Sequence, residues 1–496
     1  MVGTGDDLER EAEVERKYAV GKSDQVPDFS ALGPTSPART TELVAHYYDT
    51  PRLDLLGAGI TLRRRTGGHD AGWHLKLPRD GDSRTELRLP LQRGHAIPPE
   101  LRDEVAGLVG RRPLLPVVRM NTTRTTVELF DDDGNARAEI VSDRVAAEVL
   151  RADVDSSQQW RELEVELQPG EAESTFDAVE ELLSAAGIRR SQSASKLSQV
   201  LRGIPPQSKP GRKDSAATAA ASAFAKHYGR FQALERGAAE DAPDAVHQAR
   251  VALRRMRSIL QVYGKVFDSS ASRRLRDELR WAGAVLGAPR DAEVIRDELL
   301  RLLDELDSET LVGPVRARIT NDLDLRHGEA LTTLQEVMSS SRWDALHERI
   351  SGFLTAPTVG KKGRRPAAKA LCKLALKAER KVARRLDTAR GHAAHLESWH
   401  EVRKAAKGAR YAQEVLQGIG IKPAKQRRKT WKAVAGGFGE VQDAVILDEQ
   451  LTALKASARA AGEPVDTYQV MSDKLAAKRE AGLADAWARV EEALGS

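Results

Sequence analysis

The chain holds a single cysteine, Cys372, in 496 residues. That excludes an intrachain disulfide framework and points to a reducing compartment. Aromatic residues make up 4% of the chain, too few for the stacking platforms on which unpaired bases are read, so composition weighs against a nucleic-acid partner. No stretch approaches eighteen consecutive apolar residues, and the opening MVGTGDDLEREAEVERK carries no apolar leader. The expectation is a soluble, cytoplasmic protein with no membrane span. A glycine-rich GxxxxGK[ST] loop is also missing, which sets aside P-loop phosphate chemistry. Nor is either charge in large excess: 78 Lys and Arg against 73 Asp and Glu leave +5.

What is present is charge that is sorted by position. Residues 361–385, KKGRRPAAKALCKLALKAERKVARR, hold eleven Lys or Arg and one Glu, whereas residues 1–15 and 162–181 are acidic. Such segregation calls for an anionic partner at one part of the chain and a metal ion at another. The length allows two or more domains, each with its own core. From about 8 to 203, alternation with a period of two in AEVERKYAV, ITLRRRT, WHLKLP, TELRLPL, TTVELF, ARAEIVSD and WRELEVEL predicts strands, with short helices near Pro99–Val109 and Ser174–Ala186. Residues 204–215, which contain PPQSKPGRK, read as a linker. From 216 to 495 the Ala- and Leu-rich periodic stretches predict helices in paired bundles. The expected fold class is α+β multidomain: an antiparallel β barrel with flanking helices, then an all-α duplicated four-helix-bundle domain.

The predicted strands carry charge on one face. Glu11, Glu13, Glu15 and Lys17 are two apart and so project to one side, as do Arg63 with Arg65, His74 with Lys76, Arg84 with Glu86 and Arg88, and Glu162 with Glu164 and Glu166. Leu62, Leu75, Leu77, Leu163, Val165 and Leu167 point the other way. An apolar outer face must be covered by helices, so the charged face lines the inside of a closed barrel. Glutamates gather on the first and last strands, cations on those between. Carboxylates so placed suit a hard divalent cation, Mg²⁺ or Mn²⁺, and the arginines suit phosphate oxygens.

The ExExK of Glu13, Glu15 and Lys17, the YYDT around Asp49, the LRRR of Arg63 and Arg65, the WHLKLP around Lys76 and the ELEVEL of Glu162 to Glu166 resemble the CYTH superfamily of triphosphate tunnel metalloenzymes. That resemblance covers about residues 8–203. It implies a barrel that binds triphosphate with a divalent metal and hydrolyses inorganic triphosphate or a related triphosphate; some members cyclise ATP. By position it implies Glu13, Glu15, Asp143, Glu164 and Glu166 as metal-facing carboxylates, although the run of three glutamates allows two alignments. It implies Lys17, Arg63, Arg65, Lys76, Arg124 and Lys196 as phosphate-holding cations, with Arg84, Arg88 and Arg119 as weaker candidates.

Beyond residue 216 a histidine-led pattern occurs twice. VHQARVALRRMR places His247, Arg250, Arg254 and Arg257 at relative positions 0, +3, +7 and +10, and WHEVRKAAKGAR places His400, Arg403, Lys407 and Arg410 at the same offsets. Steps of three and four put each set on one helical face. Each is followed by a glycine-containing turn and an aspartate, in LGAPRD and FGEVQD. The twin pattern, together with the turn at Leu286 to Asp291, resembles the CHAD domain, which implies a pseudo-twofold helical fold that binds inorganic polyphosphate on a basic surface. Lys369, Lys373 and Lys377 form a further stripe at i+4 spacing. A lone helical histidine is usually structural and a basic run usually solvated; recurrence at identical offsets weighs against both readings. Two functions compete: a triphosphatase that also binds polyphosphate, and a non-catalytic polyphosphate binder that localises to granules. Nothing in the sequence marks a purine pocket for ATP cyclisation.

Overall fold

The computed structural model describes residues 8–78, 82–91, 96–151, 154–391 and 396–495. The chain separates into two units, Met1–Ser208 with His347–Ala356, and Lys209–Leu346 with Pro357–Ser496. The 204–215 segment is tied down on either side of that boundary: Gln207 N–H donates to the Pro51 carbonyl at 2.9 Å, and Gly211 N–H donates to Asp214 at 2.7 Å.

In the first unit the strands are β1 (Glu9–Val20), β2 (Arg39–Asp49), β3 (Thr61–Thr66), β4 (Gly72–Lys76), β5 (Ser83–Pro90), β6 (Leu115–Phe130), β7 (Ala136–Val149), β8 (Ser157–Leu167) and the short β9 (Arg189–Arg190). Their order is β5-β4-β3-β2-β6-β7-β8-β1, with β1 also paired to β5, so eight antiparallel strands close into a barrel. β1 makes the closure with its two halves: Glu9–Val14 pair with β5, and Glu15–Val20 pair with β8. Period-two alternation had not singled out β2. Its Leu43, Ala45, Tyr47 and Tyr48 are buried on both faces of the strand, which erases the polar half of the pattern.

Two hydrophobic clusters lie outside the barrel wall, and a third plugs one end of it. Helix α1 (Asp54–Gly57), with α2 (Pro99–Glu104) and α3 (Ala106–Val109), brings Leu55, Leu101, Val105 and Val109 onto Leu62, Trp73, Leu75, Leu87 and Leu89. Helix α4 (Ser174–Ala185) presents Phe176, Val179 and Leu183, at i, i+3 and i+7, to Tyr18, Leu163 and Val165. Each fully buried leucine or phenylalanine contributes roughly 1.5–3 kcal/mol. With the outer face so covered, the inner face is free to be polar. Helix α5 (Lys196–Val200) closes one end: Leu197 and Val200 pack on Ala45, Val118, Met120, Val145 and Ala147. A Ser195–Ser198 capping box starts that helix and sets Lys196 at its first position.

The second unit has two helix series. The first runs through α6 (Ala216–Gln232), α7 (Glu235–Ala239), α8 (Ala245–Tyr263), α9 (Ser269–Val285), α10 (Gly287–Asp304) and α11 (Val315–Met338), followed by the start of α12 (Ser341–Thr355), whose residues from His347 on belong to the first unit. The second comprises α13 (Ala367–Gly391), α14 (Leu396–Gly418), α15 (Ala424–Ala460) and α16 (Asp466–Gly495). By order and motif, α8 answers to α14, and α9 with α10 answers to the single α15. The glycine turn expected in both copies exists in the first alone: FGEVQD lies within the unbroken α15. Pro289 explains the difference, because it lacks the N–H that would continue the helix and its ring clashes with the carbonyl four residues back. Val441 stands at the matching place and lets the helix run on. The series meet where Leu299, Leu302, Ile319 and Leu323 pack on Leu451, Leu454, Tyr468 and Met471.

Candidate functional site

Period two carries the charges inward, and the barrel encloses a cavity of about 180 Å³. Glu13, Glu15, Lys17, Arg63, Arg65, Lys76, Arg124, Glu164, Glu166 and Lys196 all line it. Asp143 sits behind them, fully buried, and accepts two hydrogen bonds from Arg124, at 2.9 and 2.7 Å. Of the weaker candidates, Arg84 and Arg88 also line the cavity; Arg119 does not, and is exposed on the opposite face of β6.

The interior is divided by charge. On β1, β8 and β7, Glu15 stands directly opposite Glu166, and Glu166 opposite Glu139. Like charges so placed repel. Burial, then the charges of Glu13, Glu15 and Glu139, push the Glu166 carboxyl up to about 7 despite the opposing pull of Lys76. Burial and a hydrogen bond to Glu86 raise Glu13 as well. Glu15 goes the other way: burial would raise it, but Lys17, Lys76 and Arg84 hold it well below the carboxylate range. Arg84 reaches Glu15 at 2.6 Å, Arg88 reaches Glu13 at 2.8 Å, and Lys76 also pairs with Glu13. Among the described residues Glu166 has no ion-pair partner.

Arg63, Arg65 and Arg124 make the cationic part. Burial and the neighbouring charges of Arg63 and Arg124 bring Arg65 far below the usual guanidinium range. Arg63 Nη1 donates to the Tyr47 hydroxyl at 3.5 Å, and that phenol is lowered, against burial, by Arg63, Lys196 and Lys17. The Nε groups of Arg63, Arg65 and Arg84 are buried without an acceptor. Buried orphan donors are rare, and several around one cavity point to acceptor oxygens that belong there.

A third group surrounds Lys196. Carboxylate oxygens of Asp143, Glu162 and Glu164 lie within 4.8 Å of one another. The Lys196 ammonium occupies their midst, 3.0 Å from Asp143 and 2.9 Å from Glu164 and paired with Glu162 too. These acids are neutralised by protein cations: Arg124 holds Asp143 and Glu164, and Lys17 holds Glu164. The Glu13, Glu15, Glu139 and Glu166 row differs: its oxygens do not gather as closely as those of Asp143, Glu162 and Glu164, but Glu166 has no counterion among the described residues. Sequence reasoning passed over Glu139 and Tyr47. It put Glu86 on the charged face with Arg84 and Arg88 but gave it no role; that residue is fully buried and pairs with Arg88 at 2.7 Å and His74 at 3.0 Å. Asp49 of the YYDT motif serves the backbone: it accepts from the N–H groups of Thr50, Leu55 and Leu56 at 2.7–2.9 Å.

In the helical unit the two stripes adjoin. Arg254 Nε donates to the Tyr411 hydroxyl at 3.1 Å, and the Arg410 guanidinium lies 4.5 Å over the same ring. Burial, then Arg403, Arg254 and Arg410, bring the Lys407 amine down to about 8. Burial, then Arg280, Arg254, Arg250 and Arg276, lower Arg257 too. The repeat extends to atoms. A Cβ on Gly287 would meet Arg250 Cζ at 3.2 Å, so that glycine makes room for a stripe arginine, and one on Gly439 would meet Arg403 Nη2 at 3.4 Å, an ordinary contact. Those arginines pair with Asp291 and, at 3.5 Å, with Asp443. The copies diverge at the histidines. His400 hydrogen-bonds Gln442 at 2.8 Å, whereas burial and the charges of Arg290, Arg254 and Arg250 lower His247. Nε groups of Arg276, Arg290, Arg403 and Arg410 are again buried without acceptors. Lys369, Lys373 and Lys377 are exposed on α13 and make no ion pair among the described residues.

The CYTH domain matches residues 11–201 and the CHAD domain residues 222–452. The chain is 34% identical over 480 residues to Uncharacterized protein Rv2226 of Mycobacterium tuberculosis, covering 93% of this chain and 92% of that one. Among solved structures it is similar to the CHAD domain from the plant Ricinus communis, at 20% identity over 59% of this chain and 98% of that one, with a TM-score of 0.47. It is also similar to HpAC1 from Hippeastrum, described as an adenylyl cyclase with a dominant triphosphatase activity, at 17% identity over 38% of this chain and 96% of that one, with a TM-score of 0.26.

Proposed function

Since the chain belongs to the family that joins a CYTH domain to a CHAD domain, we propose that its barrel hydrolyses inorganic triphosphate or a short polyphosphate with a divalent cation, and that its helical unit binds inorganic polyphosphate along α8 and α14. The observation that carries the reading is the pairing, in one cavity, of orphaned arginine donors with a carboxylate row short of a cation.

Arg63, Arg65 and Arg124 would take the phosphate oxygens, and Lys17 and Lys76 would add charge as the chain displaces their carboxylate partners. Glu13, Glu15, Glu139 and Glu166 would hold Mg²⁺ or Mn²⁺ through oxygen, with Glu164 at their edge and Asp143 kept for positioning Arg124 and Lys196. When bound, the ion supplies Lewis-acid polarisation of a phosphoryl oxygen. The carboxylate row orients a water for in-line attack on the terminal phosphorus; the new P–O bond forms as the bridging P–O bond breaks, and the water proton passes to a carboxylate of the row. Arginine donors already in place absorb the charge gathering on the leaving oxygen.

On the helices, His247, Arg250, Arg254, Arg257, His400, Arg403, Lys407 and Arg410 would grip a polyanion, with Lys369, Lys373 and Lys377 adding a further stripe. Such binding is salt-sensitive, because neutralising a polyanion releases counterions. The test is phosphate release from tripolyphosphate by the purified chain with Mg²⁺ or Mn²⁺ and after chelation. We expect turnover that needs the ion and is lost in Glu15→Ala without loss of fold. Absence of turnover with either ion, beside tight polyphosphate binding, would leave the chain a binder.

A further inference from the structure

Among the described residues Arg65 has one carboxylate partner, Asp70. The other carboxylates paired to cavity cations stand mainly on strands: Glu13 and Glu15 on β1, Glu86 on β5, Asp143 on β7, Glu162 and Glu164 on β8. Asp70 stands instead on the connection between β3 and β4, just after Gly67 and Gly68, whose φ angles are +84° and +78°. Left-handed backbone of this kind is what glycine permits. At Gly67 no side chain would fit, since a Cβ would lie 2.2 Å from the Glu42 carbonyl oxygen. Asp70 lines the cavity with Gly68 and His69, and its side chain keeps 24% of its exposure against 4% for Arg65. A strand carboxylate leaves its cation by a side-chain rotation alone, within the crowded barrel wall. A carboxylate on a glycine-hinged loop can turn out into water.

We propose that Asp70 is a displaceable stand-in for phosphate on Arg65, and that its displacement sets a threshold that separates phosphate chains from orthophosphate. This deepens, and rests on, the reading of the barrel as the phosphate site. Carboxylate and phosphoryl oxygens offer a guanidinium the same bidentate pair of acceptors. Orthophosphate that takes Arg65 from Asp70 exchanges one such pair for another. A chain that also reaches Arg63 and Arg124 gains contacts that Asp70 does not make. Displacing Asp70 costs the same for either ligand, so both are weakened by a like factor; the chain stays bound through Arg63 and Arg124, while orthophosphate, with fewer contacts, falls below the affinity at which it would hold the site.

The test uses the full chain with Asp70→Asn and Asp70→Glu, and Arg63→Ala as the marker of barrel binding. Steady-state kinetics give kcat and KM for tripolyphosphate and Ki for orthophosphate, and calorimetric titration gives both affinities whether or not turnover occurs. Asp70→Asn should lower the orthophosphate Ki and the dissociation constant for tripolyphosphate by a like factor of about tenfold, the worth of one charge-assisted contact. Asp70→Glu should keep the parent values. Should Asp70→Asn fail to fold, Asp70→Ser removes the same charge. Unchanged or weaker orthophosphate binding in a folded variant overturns the assignment of Asp70. If Arg63→Ala leaves tripolyphosphate binding untouched, the barrel reading itself has failed, a separate result. A merely structural role for Asp70 would lower the melting temperature without tightening either ligand.

Discussion

At the scale of single residues, the barrel and the helical unit handle buried cations differently. Lys196 is satisfied: three carboxylates surround it, and they raise it well above the usual lysine range in spite of burial. Removing one partner of such a group leaves uncompensated buried charge, so Lys196→Met should destabilise the chain by about 3–5 kcal/mol. Denaturant unfolding of the metal-free protein would measure the loss, and Lys196→Arg should recover part of it. Lys407 is the contrary case, with burial and Arg403, Arg254 and Arg410 against it and Asp443 alone in its favour among its strongest neighbours; it falls from 10.5 to about 8. A bound polyanion restores the charge, so binding takes up a proton once the solution pH passes 8. Affinity for polyphosphate should therefore be full below pH 8 and fall above it. Lys407→Arg, charged throughout, should flatten that profile. Calorimetry across that range in two buffers of different ionisation enthalpy would read both the affinity and the proton. For the free fold, the same depressed lysine gives stability that rises with pH between about 8 and 10.5, because the unfolded chain binds the proton there and the native chain does not.

At the scale of elements, glycine and proline decide where helices stop and where arginines can lie. Gly439 stands inside α15, where alanine would favour the helix by about 0.5–1 kcal/mol. The same methyl would meet Arg403 Nη2 at 3.4 Å, an ordinary contact, whereas a methyl on Gly287 would meet Arg250 Cζ at 3.2 Å. Gly439→Ala should then raise or hold the melting temperature and leave polyphosphate binding unchanged, while Gly287→Ala should weaken that binding about threefold, a fraction of one charge-assisted hydrogen bond. Unaltered affinity in Gly287→Ala would separate Arg250 from the binding surface. In the barrel the telling element is β1. Its first half joins β5 and its second joins β8, so Glu13 faces the Lys76 and Arg88 side while Glu15 meets Glu166. Two residues of one short motif thereby enter different electrostatic surroundings, one carboxyl raised and the other lowered.

At the scale of the whole molecule, each unit has its own core and its own set of orphaned guanidinium donors. Substitutions in one should leave the other's chemistry intact. Glu15→Ala should abolish ion-dependent phosphate release yet keep polyphosphate affinity; Arg254→Ala should lower that affinity and its salt dependence while sparing turnover of tripolyphosphate. Phosphate release and a salt series of binding titrations on both variants would check this, and a joint loss would mean that the sites act as one. Much of this was legible beforehand. Alternation in EVERK, LRRR, WHLK and ELEVEL placed Glu13, Glu15, Lys17, Arg63, Arg65, Lys76, Glu164 and Glu166 on the cavity side, because a strand's two-residue period is rigid and a one-residue slip would put charge under the covering helices. The exception was Arg119, assigned to the wrong face of a strand whose own ends differ in which side is apolar. Offsets of three and four likewise placed the helical stripes. By itself, then, the sequence determined which side chains share a face and that the helical pattern is doubled, since those follow from local backbone periods. Only the tertiary structure decided which faces meet: that Lys196 reaches back to Asp143, Glu162 and Glu164, that Glu139 completes the row begun by Glu15 and Glu166, that Asp70 covers Arg65, and that Arg254 leans on Tyr411. Those pairings depend on register and closure between segments far apart in the chain, and no local period carries that information.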